Sequence, residues 1–258
     1  MGCIFMGITL GTMSTGCLNS DNEDKNSKLA LKKWIEDSKK TFYDSVLEGL
    51  TINALGDSYF KGNGLDMDYV WLSLMANKYG MDMNNYGING SVVAYGKGTN
   101  PMVLRYNDMP ANNAQIIFVE GGRNDFNEKT PIGDVNSRDI VTYSGALNVI
   151  LDGVKEKYPN AMIICFTPWN FPDKEGYDLT YKDYCDAMEA VAKAHGVYCI
   201  HADDPAVSGI DMRDPGFREK YCMNPGDVSH LNSEGMKIAM THFERIVATY
   251  YRDFLSKK

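Results

Sequence analysis

The sequence predicts an α/β domain of three layers, with a parallel sheet of about five strands sandwiched between helices. Two observations carry this. Extended runs such as Ile116-Ile117-Phe118-Val119 are apolar throughout instead of alternating, the pattern of strands buried on both faces. Each run is followed by a stretch with apolar residues at helical spacing, so consecutive strands are joined by crossovers and run parallel. A chain of 258 residues suits one such domain and buries a sizeable core.

Taken in order, Leu31, Trp34, Ile35 and Phe42 keep roughly helical spacing and mark an accessory helix ahead of the sheet. The first strand is Thr51 to Leu55, and a helix follows with Tyr69, Leu72, Ala76 and Tyr79 on one face. A short extended piece spans Met83 to Tyr86. The strongest strand signal is Ala114 to Glu120, followed after a polar loop by a helix with Ile140, Tyr143, Leu147, Ile150, Leu151 and Val154 in one stripe. Then come a strand over Ala161 to Thr167, a helix carrying Tyr181, Tyr184, Met188 and Val191, and a strand over Val197 to Ala202. The last helix places Met236, Ala239, Phe243, Ile246, Val247, Tyr250 and Phe254 on one face. The expected organisation is a signal-like segment and polar tether over 1–27, then the domain with its accessory helix over 28–258.

Residues 1–17 are apolar and uncharged and give way abruptly to a polar stretch. This is similar to a bacterial lipoprotein signal ending at Cys17, although no Lys or Arg precedes the apolar run and Ser14 stands where such signals usually carry Leu. The run is too short to span a bilayer. Export with membrane attachment through a lipid on Cys17 is expected, the alternative being a cytoplasmic protein. The net charge of −8 excludes a nucleic-acid partner, which needs clustered Lys and Arg. Lys28, Lys32, Lys33, Lys39 and Lys40 are interleaved with Glu36 and Asp37 and describe a solvated helix face. Six cysteines without CxxC spacing imply neither a disulfide scaffold nor a zinc site. Cys165 and Cys199 lie in apolar strand runs, where cysteine acts as a small hydrophobe.

Ligands of open parallel sheets bind beyond the carboxyl ends of the strands. Three polar clusters fall there, Gly56-Asp57-Ser58, Asn85 to Gly90 and Gly121 to Asp125, and a fourth, Asp227 to His230, precedes the last helix. In this order they resemble the SGNH hydrolases, the GDSL-like esterases and lipases. That family is named for a Ser in a GDS motif, a Gly, an Asn in a GxND motif and a His in a DxxH motif. Ser58, Gly90, Asn124 and His230 match in turn, over roughly Ile52 to Lys237. Each motif alone is weak; together, each at a strand end, they are specific.

The resemblance implies a flavodoxin-like sheet and a serine hydrolase that needs no cofactor or metal. It implies a catalytic triad of Ser58, Asp227 and His230, and an oxyanion hole of the Ser58 and Gly90 backbone N–H groups with the Asn124 side-chain amide. The chemistry agrees. A serine hydroxyl needs a base to take its proton, and the imidazole that does so needs a carboxylate on its other nitrogen. Gly90 lacks a Cβ that would keep backbone from substrate, and a helix beginning at Ser58 would favour negative charge there. A serine at a helix start is also a common N-cap, so Ser58 by itself has two readings, and Asp57 is expected to hold the turn. Of the other histidines, His195 sits at a helix end, His242 lies within the last helix, and His201 ends a strand without a carboxylate-x-x-His pattern.

Other patterns fail. Gly62 and Gly64 lack the third glycine of a dinucleotide loop, since Met67 stands there. Gly96-Lys97 is followed by Gly98 where a phosphate loop needs Ser or Thr. The pairs Asp66/Asp68 and Asp203/Asp204 lack calcium-loop spacing. For substrate, the loop Thr167 to Pro172 offers Trp169 and Phe171 either as site lining or as loop packing, and Arg123 is a candidate to meet a polar or anionic group. Without a long apolar lid, a short acyl group such as acetyl on a carbohydrate is favoured. A lysophospholipase, a thioesterase or a non-catalytic carbohydrate-binding protein are the alternatives.

Overall fold

The computed structural model describes residues 16–172 and 176–258, with side chains inside the first helix from residue 24 onward. The chain divides into two compact units, Met1–Tyr43 and Asp44–Lys258. The first holds helix α1 (Gly16–Thr41), which includes the polar residues 18–27 expected as a tether. Its charged residues pair across single turns, Lys28 with Asp24, Lys39 with Glu36 and Lys40 with Asp37, as a solvated helix face does. The signal-like residues 1–15 and the Cys17 side chain lie outside the described residues.

The second unit contains β1 (Thr51–Gly56), α2 (Ser58–Lys61), α3 (Trp71–Tyr79), β2 (Asp82–Gly87), α4 (Met102–Arg105), β3 (Ile116–Glu120) and α5 (Arg123–Asn127). It continues with α6 (Tyr143–Lys157), β4 (Met162–Phe166), α7 (Tyr181–His195), β5 (Tyr198–Ile200), α8 (Pro205–Ser208), α9 (Pro215–Tyr221) and α10 (Ser233–Ser256). All strand pairs are parallel, in the order β2-β1-β3-β4-β5. This is the three-layer fold with a flavodoxin-like sheet, whose chain reverses direction at β1 and β3. The GDS turn leaves β1 and the GxND loop leaves β3, so both sit at that reversal.

Alternation along the strands divides the core. On the side of α3 and α10, the rings of Phe60, Trp71, Phe118, Phe166 and Phe243 pack with centroids 5.0 to 6.5 Å apart. On the other side Ile117, Val119, Ile163 and Cys165 meet the Leu147, Ile150, Leu151 and Val154 stripe of α6 and Tyr184, Met188 and Val191 of α7. Cys165, Cys185, Cys199 and Cys222 are free thiols. Thr180 opens α7 with a capping box to Asp183.

Three boundaries differ from expectation. Thr142 caps α6, so Ile140 lies outside the helix, where its carbonyl accepts from the Tyr95 N–H. Tyr69 belongs to a short 3-10 turn capped by Asp66. Strand β5 is three residues long. Among the described residues no helix is long and apolar enough to cross a membrane.

Candidate active site

At the end of β1 the chain must turn sharply into α2, and Gly56 permits it: a Cβ there would lie 2.5 Å from the Phe60 ring. Asp57 caps α2, its Oδ1 accepting from the Tyr59 N–H at 2.8 Å. The cap reading of Ser58 is therefore wrong, because the neighbouring aspartate does that work. Ser58, the first helical residue, instead directs its hydroxyl at His230, with Oγ 3.1 Å from Nε2. His230 Nδ1 lies 3.1 Å from Asp227 Oδ2, while Asp227 Oδ1 accepts from the Ser229 and His230 N–H groups at 2.8 and 2.9 Å. One turn thus orients both carboxylate and imidazole. Helix α2 is only four residues long, so the dipole expected at Ser58 is small.

The backbone N–H groups of Ser58 and Gly90 have no hydrogen-bond partner among the described residues. Gly90 has φ +74°, and a Cβ there would meet only Thr99 Oγ1, at 3.6 Å. Glycine is required by backbone conformation, not by crowding. Asn124 differs from expectation more sharply. Its Nδ2 donates to Asp57 Oδ2 and to the Ser91 carbonyl, both at 2.9 Å, so both amide hydrogens are engaged inside the protein.

The arrangement of a Ser–His–Asp chain beside two unpaired N–H groups, at the reversal of a parallel sheet, is matched at the level of sequence. Residues 54–238, well over half of the chain, fit the model of the GDSL-like Lipase/Acylhydrolase family. The chain belongs to the GDSL-like lipase/acylhydrolase family. No curated protein matches it significantly. One solved crystal structure shares 28% identity and a TM-score of 0.70, covering 78% of this chain and 97% of that one. A protein from Lactobacillus plantarum, 22% identical, gives 0.68 over 78% of this chain and 98% of its own. The psychrotrophic esterase EstA from Pseudoalteromonas sp., whose structure is inhibited by monoethylphosphonate, is 16% identical with a TM-score of 0.58, covering 78% and 98%. The last two likenesses, below a quarter identity, speak for the fold alone.

In this GDSL-like hydrolase the aromatic loop after β4 is packing. Trp169 stacks on Tyr59 at 3.5 Å between centroids and donates its indole N–H to the Ser229 carbonyl at 2.7 Å. Arg123 lies 3.7 Å over the Phe171 ring and donates through Nε and Nη2 to Ser229 Oγ at 3.1 and 2.9 Å. Both brace the turn between Asp227 and His230, and Trp169 and Phe171 are almost fully buried. The polar group that Arg123 meets is the protein's own.

Three further side chains support the site, of which only Asp125 falls inside a motif. Arg105 ties the strand ends together. Asp125 holds the loop after Gly90, accepting from the Val93 and Ala94 N–H groups at 2.8 and 3.1 Å, and burial pushes its carboxyl up to about 7. Glu120 ends β3 and accepts the Asp57 N–H at 3.1 Å. Burial first, and the Asp57 charge second, hold the Glu120 carboxyl well above the usual carboxylate range. The signal for Glu120 was present, since it is the one charged residue of an otherwise apolar strand.

A pH dependence follows. Because the Glu120 carboxyl is raised on folding, the stabilisation linked to its proton is complete below the ordinary value of 4.5 and is lost as pH climbs through the folded value. Glu120→Gln keeps an acceptor for Asp57 N–H without the charge. It is expected to unfold at higher urea than the wild type at alkaline pH, with the gap closing as pH falls toward 4.5. A gap independent of pH would contradict the burial of an ionising Glu120.

The remaining candidates have structural partners. His195 Nε2 meets Asn148 Oδ1 at 2.8 Å and His242 Nδ1 the Val207 carbonyl at 3.1 Å. His201, the residue after β5, lies between Glu189 and Asp203, 3.5 and 3.7 Å away. Asp66 and Asp204 cap short helices and Asp203 accepts from Thr167. Among the described residues no cluster of three His, Cys, Asp or Glu side chains could hold a metal ion.

Proposed function

We propose that the protein is a serine esterase acting through an acyl-Ser58 intermediate on a short acyl ester, acetyl on a carbohydrate being the favoured case. The observation that carries the reading is the unbroken hydrogen-bond chain from Ser58 through His230 to Asp227. A carboxylate only accepts, so Asp227 selects the tautomer with hydrogen on Nδ1 and leaves Nε2 as the acceptor for the Ser58 O–H. Ser58 Oγ bonds to the ester carbonyl carbon while its proton passes to Nε2. The carbonyl oxygen becomes an oxyanion beside the Ser58 and Gly90 N–H groups. Collapse breaks the bond to the alcohol, which leaves with the proton from His230. Water then attacks the acyl carbon and gives a proton to His230; the bond from that carbon to Ser58 Oγ breaks, Oγ takes the proton back from His230, and the acid leaves.

Asn124 acts in this mechanism by holding the Asp57 carboxylate and the Ser91 backbone beside the oxyanion, and joins as a third donor on exchanging one of its two internal bonds. The short acyl preference is supported by the packing of Trp169 and Phe171 into the protein, which removes the aromatics best placed to shelter a long chain. The EstA neighbour, described as an esterase inhibited by monoethylphosphonate, shows that this fold can carry ester chemistry.

A substrate panel tests the reading. Among p-nitrophenyl esters, kcat/KM for acetyl is expected to exceed that for octanoyl by about tenfold or more. Acetylated xylo-oligosaccharide is expected to be deacetylated, and lysophosphatidylcholine and an acyl thioester to be left intact. A preference for octanoyl or lysolipid would replace the substrate assignment. No turnover of any ester, with retained sugar binding, would make the protein a non-catalytic carbohydrate binder. The signal-like N-terminus supports export with a lipid on Cys17, and an unprocessed Met1 in a cytosolic fraction by intact mass would contradict it.

A further inference from the structure

The peptide link between Gly56 and Asp57, immediately before the nucleophile, is gripped at both polar ends by buried ionisable side chains. Glu120 Oε2 accepts its N–H at 3.1 Å, and Arg105 Nη2 donates to its carbonyl at 2.7 Å. Arg105 does more. Its Nη1 donates to the Tyr86 carbonyl at 2.6 Å, near the end of β2. Nη2 also donates to Ser91 Oγ at 2.8 Å, and Nε to the Asn100 carbonyl at 3.3 Å. Ser91 is the residue after Gly90, and its hydroxyl donates to the same Asn100 carbonyl at 2.5 Å. One guanidinium therefore joins the residue two before Ser58 to the residue one after Gly90.

We propose that Arg105 is a positioning residue that sets the spacing between the Ser58 and Gly90 N–H groups, by tying the ends of β1 and β2 to the loop carrying Gly90. This rests on the esterase reading above. The two N–H groups belong to separate loops, and Arg105 bonds to both loops at once. A preorganised pair of donors helps only if the donors stay where the oxyanion forms. The planar fork of arginine reaches four acceptors in different directions, which an ammonium cannot do. Burial lowers the pKa of the guanidinium to about 10 against the opposing pull of the Asp108, Asp57 and Glu120 carboxyls that face it, so it remains a cation at neutral pH. Arg105 lies on α4, outside every motif that marks the site in sequence, and its hydrogen bonds go to Gly56, Tyr86, Ser91 and Asn100.

The test is active-site titration of the wild type, Arg105→Gln, Arg105→Lys and Ser91→Ala with a fluorophosphonate, followed by p-nitrophenyl acetate turnover per titrated site. Arg105→Gln is expected to lose about 10- to 100-fold in kcat per site, the scale of a displacement of about 1 Å in a catalytic group. KM and the pH profile stay close to wild type, because neither ground-state binding nor His230 is altered. Arg105→Lys falls in between, and Ser91→Ala, which removes one tie, shows the smallest loss. A purely structural role would give fewer titratable sites, each turning over at the wild-type rate, and would overturn the proposal. So would wild-type turnover per site in both Arg105→Lys and Ser91→Ala should Arg105→Gln fail to fold. A folded wild type that takes up no fluorophosphonate removes the esterase reading, and this proposal with it.

Discussion

Ser58→Ala is expected to lower kcat for ester hydrolysis by about a million-fold, to the level left by binding and the backbone donors alone, as serine-triad enzymes do. The fold should survive. The Ser58 side chain makes one hydrogen bond, to His230, and the α2 cap belongs to Asp57, so the stability cost is about 1 kcal/mol or less. His230→Ala should cost nearly as much as Ser58→Ala, and the double variant little more than either, because a nucleophile without its base and a base without its nucleophile fail alike. Asp227→Asn should leave the geometry but lose about ten-thousand-fold, since an amide at that position no longer fixes the Nδ1–H tautomer. Initial rates with p-nitrophenyl acetate across the four variants check this. Additive losses would mean that Ser58 and His230 act independently, against the 3.1 Å contact between them.

The largest effect on stability is expected at a pair far from the chemistry. Lys78 of α3 and Glu244 of α10 meet at 2.8 Å with both side chains essentially inaccessible, and the Tyr79 hydroxyl donates to Glu244 at 2.9 Å. Burial raises the Glu244 carboxyl while the Lys78 ammonium opposes that shift. Glu244→Leu leaves the Lys78 ammonium in the core without its carboxylate, at an expected cost of about 3–5 kcal/mol in urea unfolding. The double variant Lys78→Met/Glu244→Leu should recover most of that, because desolvating two charges roughly cancels their attraction. A double variant no more stable than Glu244→Leu alone would show that the pair adds net stability. Neither variant should change turnover per titrated site by more than about twofold, as the two sites share no partner.

The elements legible in sequence are those whose burial writes a continuous pattern. β3 and β4 are apolar at every step save Glu120, and α6 and α10 repeat their apolar residues over several turns. β2 sits at the sheet edge and carries Asp82, Asn84 and Asn85, so only its length and context mark it as a strand. α4, α8 and α9 are too short for a period to register, so nothing in the sequence marks Arg105. The site divides the same way. Asp227 and His230 lie in one turn and Ser58 follows a glycine that only a tight turn needs, so local sequence reveals them. Whether Ser58 or Asp57 caps α2 was undecidable from a Gly-Asp-Ser string, because both types cap well. Trp169, Arg123, Glu120 and Arg105 act through Tyr59, Ser229, Asp57 and Gly56, partners 49 to 110 positions away in the chain, and such pairings exist only once the sheet has formed.

The most direct test of the central claim is covalent. The folded wild type is treated with a fluorophosphonate, digested, and the adduct located by mass spectrometry. The hydrogen-bond chain from Ser58 to Asp227 predicts one adduct per molecule, on Ser58, abolished by His230→Ala and by prior unfolding. A folded protein that takes up no label, or takes it up on a residue other than Ser58, would contradict it.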